Sequence, residues 1–281
     1  MQKKSSILNH ESSIRKQSFR VGVFDSGLGG LTVVQSLLKE LKNAEIFYIA
    51  DTLHAPYGTK TKAQILQFSL DIAEYFLKHH DIDALIVACN TATSAAIEAL
   101  REKYPALIII GTEPGIKPAI EMSVSGKIGV LATPATLEGE KYQQLANRLS
   151  SQKSVTLFEQ ECPGLVEQIE QGETHTTKTM EMLEGWLSPM RKEGVDTIVL
   201  GCTHYPLVAD AIREVMYNTS LCLVETSGAI SRRVIELGEK CGHKNKGEDP
   251  SLVLYATGEI NTLFVQTILE KETYAVELIA L

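Results

Sequence analysis

Asp83-Ala84-Leu85-Ile86-Val87-Ala88-Cys89-Asn90-Thr91-Ala92 is matched later in the chain by Asp196-Thr197-Ile198-Val199-Leu200-Gly201-Cys202-Thr203-His204-Tyr205-Pro206. In each copy an Asp opens a short apolar run that ends at a small residue followed by Cys. Four apolar residues bounded in this way predict a strand buried on both faces. Helix-like segments follow, Thr93 to Arg101 and Leu207 to Val215. Asn and Thr before a helix are capping residues, and Pro206 is tolerated in a first turn. Each Cys is therefore expected at the carboxyl end of a strand, against the N-terminus of the next helix. Open α/β sheets bind ligands at those strand ends, and a helix N-terminus lowers a thiol's pKa. One such Cys is most often a small buried residue. Two at equivalent positions of a repeated frame point to chemistry.

The surrounding sequence repeats as well. Arg20-Val21-Gly22-Val23-Phe24 is echoed by Lys127-Ile128-Gly129-Val130-Leu131, and the Asp25-Ser26 loop by Ala132-Thr133-Pro134-Ala135-Thr136. The spacing from Val21 to Cys89 is close to that from Ile128 to Cys202, which argues for two copies of one α/β unit. The reading is an α/β protein of two similar Rossmann-like parallel-sheet domains related by pseudo-twofold symmetry, with the active site in the cleft between them. Residues 1–19 form an N-terminal extension. Residues 20–112 plus 223–281 form the first domain, which carries Cys89, and residues 113–222 the second, which carries Cys202. The turn-rich Gly111-Thr112-Glu113-Pro114-Gly115 suits the boundary.

Other strand-to-helix turns face the same crevice. Gly27-Leu28-Gly29-Gly30 after Asp25-Ser26 fits neither a dinucleotide fingerprint nor a Walker A loop. It is expected to let a ligand approach Asp25 and Ser26 closely. Asp51 to Gly58 follows a second strand, and Glu161-Cys162-Pro163-Gly164-Leu165-Val166-Glu167 precedes a long helical stretch ending at Lys192.

Composition narrows the function classes. The 281 residues suggest about two domains at ~150 residues each. A formal net charge of −8 argues against non-specific binding to nucleic acid or an anionic membrane. The longest aliphatic run, Ala106 to Ile110, is too short to span a bilayer. Five cysteines without paired spacing, and no apolar export segment near the start, point to reduced thiols in the cytoplasm.

Two sheets facing each other through their carboxyl edges set Cys89 and Cys202 on opposite walls of one cleft. A carbon held between them loses a proton from one face and gains one on the other, which inverts a stereocentre without a redox cofactor. Asp25 lies on the Cys89 wall in this reading, and Glu167 and His204 on the Cys202 wall, each able to hold or relay a proton. Asp25 reads equally as a turn cap, and His204 alone as a structural histidine. Cys89, Cys162, Cys202 and His204 could supply four soft metal ligands, but the CxxC-type spacing of structural zinc sites is missing. A cysteine hydrolase fits the residue types but leaves the second Cys unexplained.

From Val21 onward the motifs resemble the glutamate racemase family. Asp25-Ser26-Gly27-Leu28-Gly29-Gly30-Leu31-Thr32-Val33, Pro56-Tyr57-Gly58, Ala88-Cys89-Asn90-Thr91-Ala92 and Leu200-Gly201-Cys202-Thr203-His204-Tyr205-Pro206 carry the likeness. Ala132-Thr133 with Thr136, Val166-Glu167, and Ala229-Ile230 with Arg232-Arg233 extend it. The resemblance implies a cofactor-independent isomerase, making D-glutamate from L-glutamate for bacterial peptidoglycan, with Cys89 and Cys202 as its acid/base thiols. It implies substrate binding by Asp25, Ser26, Tyr57, Gly58, Asn90, Thr91, Thr203 and His204, with Glu167, Thr133 and Thr136 in support, and no metal. Many members carry Arg where this chain has His54, and Asp-Ser where it has Glu225-Thr226. The N-terminal arm resembles the extension of one proteobacterial branch in which a peptidoglycan precursor acts as activator, and a homodimer is an open expectation. Aspartate racemisation remains the alternative reaction, since one methylene is worth only ~1–3 kcal/mol. An amino-acid-binding or gyrase-inhibiting protein is the alternative of another class.

Overall fold

The computed structural model describes residues 18–152, 155–270 and 274–281. Most of the expected N-terminal arm, residues 1–17, lies outside them. The first unit runs β1 (Phe19–Asp25), α1 (Leu31–Glu40), β2 (Ala44–Ala50), α2 (Lys62–His80), β3 (Ala84–Val87), α3 (Asn90–Lys103) and β4 (Ile108–Gly111). After α4 (Ile116–Met122) come β5 (Lys127–Ala132), α5 (Pro134–Leu137), α6 (Glu140–Gln152), β6 (Thr156–Glu161), α7 (Leu165–Glu170), α8 (Thr177–Glu193), β7 (Thr197–Gly201), α9 (Ala209–Val215) and β8 (Cys222–Val224). The chain closes with α10 (Ser227–Lys240), β9 (Ser251–Ala256), α11 (Thr262–Leu269) and β10 (Tyr274–Leu278).

Two sheets result, ordered β10-β9-β2-β1-β3-β4 and β6-β5-β7-β8. Every strand pairing in them is parallel. Without β9 and β10 the two orders are the same: second strand, first, third, fourth. The duplicated pattern in the sequence is thus a duplicated topology. In it β8 is the counterpart of β4, pairing Cys222–Val224 with Thr197–Val199. The boundary expected at residue 223 falls inside that strand, and the chain returns to the first sheet through α10 and β9.

The strands bearing the Cys motifs are buried on both faces. Ala84, Ile86 and Ala88 pack into a core shared by the two units, while Leu85, Val87 and Cys89 face the core on the other side of the first sheet. Ile198, Leu200 and Cys202 join the shared core, and Val199 a third cluster behind the second sheet. Helices are held by their apolar stripes. α1 buries Leu31, Val33, Val34 and Leu37, and Leu37→Ala there costs about 2–5 kcal/mol. α2 starts at a reciprocal cap in which Thr61 and Gln64 satisfy each other's backbone.

Three local expectations change. The helix expected from Thr93 starts at Asn90, so Asn90 and Thr91 lie in its first turn and Cys89 is the cap. The stretch before Lys192 is broken into α7 and α8 by a turn in which Gly172 has φ +80°. Leu207 does not begin an α-helix, because a 3-10 turn over Tyr205–Val208 holds Pro206 and α9 starts only at Ala209. Cys89 alone therefore caps a helix directly.

Candidate active site

At the carboxyl edges of the two sheets lies a cavity of about 200 Å³. Cys89, Ser26, Tyr57, Gly58, Asn90 and Thr91 line it from the first unit, and Cys202, Thr203, His204, Thr133, Cys162 and Glu167 from the second. Cys89, Cys202, Ser26, Asn90, Thr91, Thr203 and His204 are all buried.

Cys89 is the N-cap of α3. Its Sγ accepts from Ala92 N–H at 3.4 Å and lies 3.8 Å from Ser26 Oγ. Burial and the nearby Asp25 carboxylate push this thiol's pKa well up, against the opposing Ala92 and Ser26 contacts. Once ionised, such a sulfur is a strong base, held at the positive end of a helix dipole.

The second sulfur has a different neighbour. Cys202 Sγ lies 3.7 Å from His204 Nδ1. On the far side of that ring, Nε2 lies 2.8 Å from Glu170 Oε1, which also accepts from Leu28 N–H at 2.8 Å. Gly29 N is 3.1 Å from the same Nε2, but one nitrogen cannot donate to a carboxylate and accept from an amide at once. The shorter, charge-assisted contact fits a protonated ring. Burial alone would lower the His204 pKa, but its contacts with Cys202 and Glu170 outweigh that and hold it well above the ordinary value. Glu170 is the reciprocal case. Burial would raise its pKa, and His204 together with Leu28 N–H brings it below the usual carboxylate value.

Glu170 was not singled out in the sequence; Glu167 was. Glu167 stands exposed at the cavity rim, and the carboxylate that meets His204 comes one helical turn later. Glu167 and Glu170 share a face of α7 by their i, i+3 spacing, so the second acid was available as a candidate.

The glycine turn has a purpose other than admitting a ligand. A Cβ on Gly27 would overlap the Glu170 carboxylate, and one on Gly29 the His204 ring. The turn is the socket into which the opposite wall inserts its His–Glu pair.

Asp25 is fully buried behind Ser26. Its Oδ2 accepts from Gly27 and Gly30 N–H at 3.2 and 3.1 Å, and its Oδ1 from the Thr203 hydroxyl of the other wall at 3.3 Å. It is a turn cap and a cross-cleft contact together. Thr91 and Thr133 meet across the cleft with their hydroxyls 3.0 Å apart, and Thr136 supports Thr133 at 2.9 Å from behind the cavity wall. Among the described residues no group of three or more His, Cys, Asp or Glu side chains is arranged to hold a metal ion.

Residues 21–227 match the Asp/Glu/hydantoin racemase family model. A glutamate racemase of Sulfurovum sp. (strain NBC37-1) is 62% identical over 250 residues, covering 89% of this chain and 94% of that protein. A glutamate racemase isoform of Bacillus anthracis superposes with a TM-score of 0.81 at 30% identity, covering 95% and 98% of the two chains. The Escherichia coli glutamate racemase, solved in complex with L-glutamate and the activator UDP-MurNAc-Ala, gives a TM-score of 0.80 at 29% identity over 94% and 98%.

Proposed function

The chain belongs to the Asp/Glu/hydantoin racemase family, and we propose that its reaction, the interconversion of L- and D-glutamate, runs through Cys89 and Cys202 as two acid/base groups on opposite faces of Cα. The observation that carries this is the placing of both sulfurs on one small cavity, one from each copy of a repeated fold. In one direction a thiolate takes the Cα proton while the thiol of the other wall returns a proton to the opposite face; the reverse direction exchanges their roles. Asp25 and Ser26 serve Cys89 in this reading. His204, oriented by Glu170, serves Cys202 by holding a proton at Nδ1, with Glu170 taking the place expected for Glu167. Asn90, Thr91, Thr133 and Thr203 offer hydroxyl and amide groups to the substrate carboxylates, together with Tyr57 and Gly58. No metal or organic cofactor takes part.

Because relatives of this similarity are glutamate racemases, the reading extends to supplying D-glutamate for peptidoglycan in the cytoplasm. Among the described residues no helix is long and apolar enough to cross a membrane. The activator bound to the Escherichia coli relative supports a peptidoglycan precursor as a regulatory ligand here. Circular dichroism of L-glutamate and L-aspartate incubated with the purified protein tests the reaction. Loss of the glutamate signal without added cofactor supports it; loss of the aspartate signal alone overturns it.

A further inference from the structure

The Tyr57 side of the cavity rests on a buried carboxylate that the two-thiol chemistry does not use. Asp51 directly follows β2 and is fully buried. Its Oδ2 accepts the Tyr57 hydroxyl at 2.5 Å and its Oδ1 the Thr257 hydroxyl at 2.7 Å, and His54 Nδ1 lies 2.9 and 3.0 Å from the two oxygens. The His54 ring is itself stacked on Phe68 of α2, with centroids 3.9 Å apart. A carboxylate taken out of water is costly unless paired and hydrogen-bonded, and all of these partners come from the loop that carries Tyr57 and Gly58 or from the turn after β9.

That turn is tied to the loop at further points. Thr257 Oγ1 accepts from Leu53 N–H at 3.1 Å, and Thr52 Oγ1 accepts from Gly258 N–H at 3.0 Å. Thr257 N–H donates to Ala50 O at 3.1 Å. A segment added to the duplicated unit by β9 thus reaches the carboxylate that orients a cavity residue. Burial and the adjacent Asp51 push the Tyr57 phenol far above its ordinary pKa, so it stays a donor to that carboxylate.

We propose that Asp51 is a positioning residue of the reaction, fixing the Tyr57-Gly58 wall against the substrate, and that Thr257 is the strut holding it from the C-terminal segment. The proposal rests on the racemase reading. Asp51 is not among the residues that line the cavity and acts through Tyr57, so its loss weakens substrate binding more than turnover. A carboxylate that only holds the fold together would, when removed, lower the active fraction and leave KM unchanged.

The test is steady-state racemisation of L-glutamate by the wild-type chain and by Asp51→Asn, Tyr57→Phe, Thr257→Val and Thr257→Ser. Asp51→Asn is expected to raise KM about tenfold, the scale of one hydrogen bond to a charged group, with kcat falling less. Thr257→Val shifts KM in the same direction, and Thr257→Ser restores it. The Asp51→Asn effect on KM is smaller in a Tyr57→Phe background, since the two act as a unit. If Asp51→Asn does not fold, the Thr257 pair decides. An active wild type with unchanged KM in Asp51→Asn and Thr257→Val overturns the proposal; a wild type that racemises nothing overturns the reading beneath it.

Discussion

Glu170 Oε1 lies 2.8 Å from His204 Nε2, and the same imidazole turns Nδ1 toward Cys202 Sγ at 3.7 Å. One ring thus joins a carboxylate of α7 to the thiol after β7, and the glycine turn after β1 closes over the pair. Among the described residues no such imidazole–carboxylate pair stands beside Cys89; it has a helix N-terminus and Asp25. The two walls repeat each other in topology and differ in the groups that surround the sulfur.

The Glu170 contact separates two acids on one helix. Glu170→Gln is expected to lower kcat about ten- to hundredfold, short of the ~10²–10⁴ typical of a group that transfers the proton itself. Glu167→Gln at the rim is expected to change kcat little. Steady-state kinetics of both variants checks this, and equal losses would contradict it.

The same pair sets a pH signature. With its folded pKa raised, His204 contributes stability that is complete below its ordinary value of about 6.5 and is lost as pH rises through the raised one. With its folded pKa lowered, Glu170 contributes stability present above its ordinary value and lost as pH falls through the lowered one. The melting-temperature gap between wild type and Glu170→Gln is therefore expected to be widest near about pH 5–6 and to narrow on both sides. A gap independent of pH would show that the contact is not ionic.

Gly29 packs against the His204 ring so closely that any Cβ overlaps it. Gly29→Ala is expected to displace the ring and lower kcat by more than about tenfold, the cost of a small misplacement at a reacting group. Gly185, exposed on α8, has nothing within 4 Å of an added Cβ, so Gly185→Ala is expected to leave kcat unchanged and stabilise by about 0.5–1 kcal/mol. Kinetics and thermal melts on the two variants check both.

Much of this architecture was legible. The apolar runs before Cys89 and Cys202 bury both faces, and a helix follows Cys89 as expected, but its cap is Cys89 itself, while Asn90 and Thr91 lie inside its first turn. After Cys202 the same signal misled, because Pro206 settles in a 3-10 turn that delays α9. Glu170 was missed because Glu167 and Glu170 both fit an acidic helix face. Which of them meets His204 depends on how α7 seats against Gly27 and Gly29, a contact between distant segments that local pattern does not encode. Nor did periodicity reveal that β9 joins β2 and extends the first sheet, the pairing that brings Thr257 to Asp51.

Cys89→Ala and Cys202→Ala are each expected to abolish racemisation while leaving a folded protein, since removing one sulfur from a wall that already borders a cavity leaves only a small additional void. Enantiomer-resolved assays beside thermal melts check this. Near-wild-type turnover in either variant would contradict a two-thiol reaction.

The isotope content of early product tests that reaction most directly. In deuterated water, starting from L-glutamate, the two-thiol account predicts D-glutamate carrying deuterium at Cα from the first turnovers, because the delivering sulfur equilibrates with solvent before substrate arrives. Unreacted L-glutamate stays largely protiated, and starting from D-glutamate gives the mirror result. Mass spectrometry of the separated enantiomers at low conversion reads the outcome. D-glutamate that retains a substantial share of the substrate's own hydrogen would contradict the account, because a single base would then have served both faces.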